Sequence, residues 1–109
     1  MKSFIATVCT IASLSFTIPP LSAADAAAGK ATYSKKCTSC HGPMGEAKEN
    51  VAKTLKVEMH SLGSKEVQAK SDAELKKDIL EGAGKMKPVT GIDAKAADDI
   101  VAYLRTLKK

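Results

Sequence analysis

The sequence predicts an all-α domain. No stretch alternates β-branched and polar residues as a half-buried strand does. Instead, apolar side chains recur three and four residues apart, and Asp25 and Ser71 stand where helix N-caps belong. The chain has 109 residues, enough for one small domain. With 44% hydrophobic residues and no repeat or low-complexity linker, it is neither a disordered chain nor a multi-span membrane protein. Aromatic residues are few: two Tyr, two Phe and no Trp.

Residues 1–24 read as a secretory signal peptide. Lys2 supplies the positive start, and Phe4 to Ile18 run without a charge. Pro19 and Pro20 end the run, and Leu21-Ser22-Ala23-Ala24 offers small residues for cleavage after Ala23 or Ala24. The run is about 15 residues, short of the ~20 that a spanning helix needs, so stable membrane insertion is not expected. Cys9 lies inside the apolar run, too early for a lipoprotein processing site. Cleavage after Ala24 leaves one domain, residues 25–109, in the periplasm. Lys2 is lost, so the net charge falls from +5 to +4. Both Phe are lost as well, which leaves Tyr33 and Tyr103 as the domain's aromatic rings. The remaining cysteines, Cys37 and Cys40, enclose only two residues. A disulfide between them would remove little chain entropy, so the pair needs another explanation.

A first helix is expected over residues 25–36, capped by Asp25 and opened by Ala26-Ala27-Ala28. Gly29 and Tyr33 share a face four residues apart. Glycine within a helix costs about 1 kcal/mol against alanine, and close approach of another helix would compensate. Gly42, Pro43 and Gly45 mark a loop. Val51, Leu55 and Met59 are spaced as one face of a short amphipathic helix, and residues 64–70 carry a further turn. Ser71-Asp72-Ala73-Glu74 has the form of a capping box. It opens a helix with Leu75 and Ile79 on one face and Gly82 as its stop. A loop, Gly82 to Pro88, follows. The last helix starts near Asp93, with Ala96, Ile100, Tyr103, Leu104 and Leu107 at helical spacing. Asp98 and Asp99 lie early and Arg105, Lys108 and Lys109 late, as the helix dipole favours.

Cys37-Thr38-Ser39-Cys40-His41 is C-x-x-C-H, the attachment signature of c-type haem. Two thiols at this spacing reach the two vinyl groups on one porphyrin edge and form thioethers, and the adjacent imidazole then reaches the iron. A thioredoxin-like pair would follow a buried strand, and none is read before Cys37. A zinc site would need four ligands, and only Cys37, Cys40, His41 and His60 are at hand, two of them consecutive. One motif implies one covalent haem c with its iron.

The second axial ligand has several candidates. Met44 is three residues past His41, and three extended residues span only ~10 Å, too little to round the macrocycle. Met86 stands in a loop between Gly84 and Pro88 with a lysine on each side. No amphipathic pattern accounts for it there, and it is the leading candidate. Met59, spaced as core filler, His60 and an open site remain alternatives.

Over residues 25–109 the sequence resembles small bacterial class I cytochromes c. The resemblance rests on Gly29-x-x-x-Tyr33 ahead of CTSCH, on Ser71-Asp72-Ala73-Glu74-Leu75, on GAGKMKP with Met86, and on Ile100-Val101-Ala102-Tyr103-Leu104-Arg105. It implies the cytochrome c fold, with N- and C-terminal helices crossing around a covalently bound haem. In that crossing Gly29 and Tyr33 face Ile100 and Tyr103. It departs from the family at the proline whose carbonyl commonly accepts the ring N–H of the proximal histidine. Pro43 is very close to His41, and the next proline is Pro88.

The function expected is that of an exported one-electron carrier, not an enzyme, ligated by His41 and Met86. A gas-binding or sensory haem protein with a labile or absent distal Met is the alternative. The expected partners are transient redox proteins, acidic if Lys85 and Lys87 steer docking. The domain is expected to be a monomer. No motif points to nucleic acid.

Overall fold

The computed structural model describes residues 24–109, together with Ser15. The leader expected over residues 1–24 otherwise lies outside the described residues. Five helices follow in order: α1 (Ala26–Lys36), α2 (Glu49–Leu55), α3 (Lys65–Gln68), α4 (Asp72–Glu81) and α5 (Ala94–Thr106). Among the described residues there is no strand, only two isolated bridges, His41 to Ala47 and Ala83 to Met86. No helix there is long and apolar enough to cross a membrane.

Local chemistry sets the helix starts. Asp25 Oδ1 accepts from the N–H groups of Ala27 and Ala28 at 2.9 and 3.1 Å. Ser71 Oγ accepts from Glu74 N–H at 3.1 Å, and Asp93 Oδ1 from Ala96 N–H at 2.8 Å. Each bond satisfies a donor that the helix itself leaves orphaned.

The core forms where α1 crosses α5. A Cβ at Gly29 would stand 1.9 Å from the carbonyl oxygen of Asp99, so only glycine permits this approach. One turn on, the rings of Tyr33 and Tyr103 meet at 5.2 Å between centroids, tilted by 60°. Ala97, Ile100, Val101 and Leu104 complete the buried face of α5, and Leu75 and Ile79 bring α4 against it.

One element ends earlier than the apolar spacing predicts. α2 stops at Leu55 because Lys56 turns left-handed, at φ 54°. The N–H of Lys56 then reaches back to Ala52 and Lys53, and that of Val57 to Ala52 at 3.1 Å. Met59 therefore shares no helical face with Val51 and Leu55. Helix is given up here because the following segment is held elsewhere. Leu62 N–H donates to Gly45 at 2.8 Å, and Lys109 N–H donates to Gly63 at 3.1 Å.

Two polar side chains tie the remaining segments to α5. Gln68 Nε2 donates to the carbonyls of Leu62 and Leu104, both at 2.9 Å. Arg105 spreads its guanidinium over the carbonyls of Gln68 and Lys70 and over Asp72 Oδ1, at 2.6–2.9 Å. It thereby fixes the turn between α3 and α4.

Candidate functional site

The C-x-x-C-H segment continues α1 by one turn. Cys37 N–H bonds to Tyr33 and His41 N–H bonds to Cys37 O at 3.0 Å, so residues 37, 40 and 41 fall on one side of that turn. The chain just beyond is clamped. Tyr33 Oη donates to Gly42 O at 2.6 Å, and Tyr103 Oη donates to Pro43 O at 3.0 Å. The helix crossing thus grips the two residues after His41.

The second half of the site is the loop after α4. Gly82 has φ 83°, a conformation that side chains rarely adopt, and a Cβ there would lie 2.6 Å from Met86 O. Ala83 and Met86 exchange backbone hydrogen bonds of 3.0 and 2.8 Å, and Val89 N–H ties the exit to Ile79 O at 2.9 Å. These bonds hold Met86, half-buried, on the cavity that the motif also lines.

Between the halves lies a cavity of about 670 Å³, within the usual range for cofactor sites. Cys37, Cys40, His41 and Met86 all line it, with Val51, Leu55, Val57 and Met59 as much of its apolar wall. Cys37, His41 and Met86 also line an adjoining space of about 190 Å³ that reaches Leu75, Ile100 and Leu104 in the core. Met59, expected as helix-face filler, instead faces the cavity. His60 is exposed and does not line it, and Met44 is 59% exposed. Lys36, Lys85 and Lys87 stand at the rim.

Protonation states suit the motif. Burial, and then the neighbouring Lys48 ammonium, push the His41 pKa below its ordinary value, which keeps a neutral lone pair. Nδ1 is buried without a protein partner. Pro43 O accepts from Tyr103. Lys48 Nζ donates to Thr38 O, bracing the residues between the cysteines. Burial and Cys40 push the Cys37 thiol up to about 11, unlike the lowered pKa of an attacking thioredoxin-type cysteine. Both cysteines are free of disulfide. Among the described residues no cluster of His, Cys, Asp and Glu has the makings of a metal site by itself. Two free thiols, an imidazole and a thioether lining one largely apolar cavity fit a haem c.

Several features of the site escape sequence reasoning. The hydroxyl clamps on Gly42 and Pro43 and the brace from Lys48 have no local pattern. Asp99, read from sequence as a dipole residue, is 5% exposed. It accepts from Asp25 N–H at 2.8 Å and from Lys95 Nζ at 3.1 Å.

Comparison with known proteins agrees with this geometry. Residues 24–104 match the family described as cytochrome c oxidase, cbb3-type, subunit III. Cytochrome c-554(547) of Halothiobacillus neapolitanus is 35% identical over 91 residues, covering 79% of this chain and all of the relative. The solved c-type cytochrome KustC0563 superposes with a TM-score of 0.64 at 26% identity, over 74% of this chain and 98% of that one. Electron transfer through a covalently bound haem c and its iron is the common property of such proteins. On fold, motif and these matches together, the chain belongs to the cytochrome c family, as a small class I member with a single haem.

Proposed function

We propose that the protein is an exported, periplasmic one-electron carrier. In this reading residues 1–24 are removed, Cys37 and Cys40 hold the haem as thioethers, and His41 and Met86 ligate the iron in both oxidation states. The observation that carries the reading is the meeting of Cys37, Cys40, His41 and Met86 on one cavity, although Met86 comes from a separate loop. When bound, the haem supplies a one-electron iron couple, and a thioether ligand raises its potential relative to a second histidine. The chain's own work is to hold both ligands still, keep water off the slot with Val51, Leu55 and Val57, and leave one edge open. No nucleophile or general base is required, so the protein is read as a carrier rather than an enzyme.

Lys36, Lys85 and Lys87 at the rim support transient docking of an acidic redox partner, weakened by salt. The monomeric state expected from the sequence belongs to the same reading.

Optical spectroscopy of the holoprotein tests the ligation. Met86→Ala is expected to abolish the weak long-wavelength ferric band of methionine ligation and to admit carbon monoxide rapidly to the reduced form. Met59→Ala, on the same cavity, is expected to do neither. Persistence of the band in Met86→Ala would overturn the assignment. Rapid uptake of carbon monoxide by the unaltered protein would favour a gas-binding role instead.

A further inference from the structure

The start of α1 is tied down by a carboxylate from the opposite side of the core. The backbone nitrogen of Asp25 donates to Oδ1 of Asp99 at 2.8 Å. Asp99 lies on the inner face of α5, and its side chain is 8% exposed. Its other partner, Lys95 Nζ at 3.1 Å, belongs to a side chain that is 62% exposed. The surroundings are negative: the Lys95 ammonium is held above its ordinary range by Asp99 first, and then by Asp25 and Asp93. Exposed Ala24 borders an open depression of about 450 Å³ with Asp72, Asp98, Asp99 and Arg105 on its walls.

We propose that the Ala24–Asp25 bond is the processing site of this chain, and that its cleavage creates an α-ammonium that pairs with buried Asp99 and locks α1 onto α5. The proposal rests on the export reading and deepens it. The step is a hydrolysis. Water adds across the amide, Ala24 departs as a carboxylate, and the Asp25 nitrogen gains protons to become –NH₃⁺.

The nitrogen is already in place, so processing changes its charge and not its position. An amide offers Asp99 one neutral donor. An ammonium offers three donors and a full positive charge, and hydrogen bonds between ions are roughly twice as strong as neutral ones. The ammonium sits at the like-signed end of the α1 dipole, but the Asp25 and Asp99 carboxylates share that end and outweigh it.

The structure also discriminates between frames that small-residue spacing leaves open. Ser22-Ala23-Ala24 and Ala24-Asp25-Ala26 both have the small–x–small form. Cleavage after Ala26 would discard Asp25, and with it the cap on Ala27 and Ala28 and the backbone partner of Asp99. Cleavage after Ala23 would leave Ala24 in front of Asp25, whose nitrogen would stay an amide. Only cleavage after Ala24 delivers the new charge to the carboxylate.

The test uses holoprotein exported with its own leader. N-terminal sequencing and intact mass are expected to give Asp25 as the first residue. Reversible denaturant unfolding is then compared for four proteins: the mature chain, a chain with Gly-Ser inserted between Ala24 and Asp25, Asp99→Asn, and the combination. The insertion and Asp99→Asn are each expected to lower the folding equilibrium constant about tenfold, and together by no more than either alone. Should Asp99→Asn give no folded holoprotein, carbamylation of the α-amine with cyanate serves instead, with the same loss expected from neutralising the charge alone. Additive losses, or an insertion or carbamylation without effect, overturn the lock. A first residue of Ala24 or Ala27 overturns the processing site and leaves export standing. An intact leader on the purified protein overturns the export reading itself.

Discussion

At Gly29 a single methyl group decides whether α1 and α5 can meet. A Cβ there would lie 1.9 Å from the Asp99 carbonyl oxygen and 2.4 Å from its carbon, both in the backbone of a buried helix that cannot swing aside. Gly29→Ala gains about 1 kcal/mol of helix propensity and incurs about 3 kcal/mol of overpacking. A net loss of about 2 kcal/mol is therefore expected in the reversible unfolding of the holoprotein. Unchanged stability would mean that the helices can part without cost. The sequence points to this glycine because a helix tolerates such a weak spot where something compensates for it. Asp99 is different. Its position near the start of α5 satisfies the dipole rule, and that local explanation conceals a partner 74 residues away in sequence.

Among the elements, those whose ends are set by neighbouring residues were legible. Asp25 and Ser71 cap their helices as their types predict, because a cap bond spans only two or three residues, and Asp93, near which the spacing starts the last helix, caps α5. α2 was legible only in part. Its end lies at Lys56, which has no glycine to announce a left-handed residue, and the spacing of Val51, Leu55 and Met59 continues across the break. What stops the helix is the anchoring of residues 62 and 63 to Gly45 and to the C-terminus, which no window of sequence contains. The haem motif was legible because its spacing is itself the chemistry; the loop that brings Met86 to face it depends on bonds to α4. Arg105 sets the join between α3 and α4 through a planar fork that Lys cannot reproduce. Arg105→Lys is expected to cost about 1–2 kcal/mol, discounted for partial exposure, since the fork serves two backbone carbonyls and the Asp72 carboxylate at once. Equilibrium unfolding of the holoprotein measures it. A loss no larger than that of an ordinary surface substitution would reduce Arg105 to a solvated charge.

Taken whole, the molecule has a small core. Tyr33 and Tyr103 are its only aromatic rings within residues 25–109, and both are spent at the helix crossing. The apolar cavity between the motif and the Met86 loop is wide relative to so small a domain, and a domain of this size buries only about 60% of its unfolded surface in any case. A haem bound there would supply the body of the interior, and its binding energy would be folding energy. A chain that cannot attach haem, Cys37→Ala with Cys40→Ala, is expected to lack a cooperative thermal transition by circular dichroism. A sharp two-state transition in that variant would show that the helices suffice alone.

The two tyrosine hydroxyls on Gly42 and Pro43 bear on the speed of electron exchange. An electron hops quickly when the atoms around donor and acceptor need to move little as the charge changes. The carbonyls held by Tyr33 and Tyr103 belong to the residues directly after His41, so they restrain the backbone that carries the imidazole. A stiff backbone at that point lowers the nuclear rearrangement that accompanies each oxidation and reduction. With His41 on the iron as proposed, the helix crossing would bear on a kinetic property, the reorganisation energy, as well as on the fold.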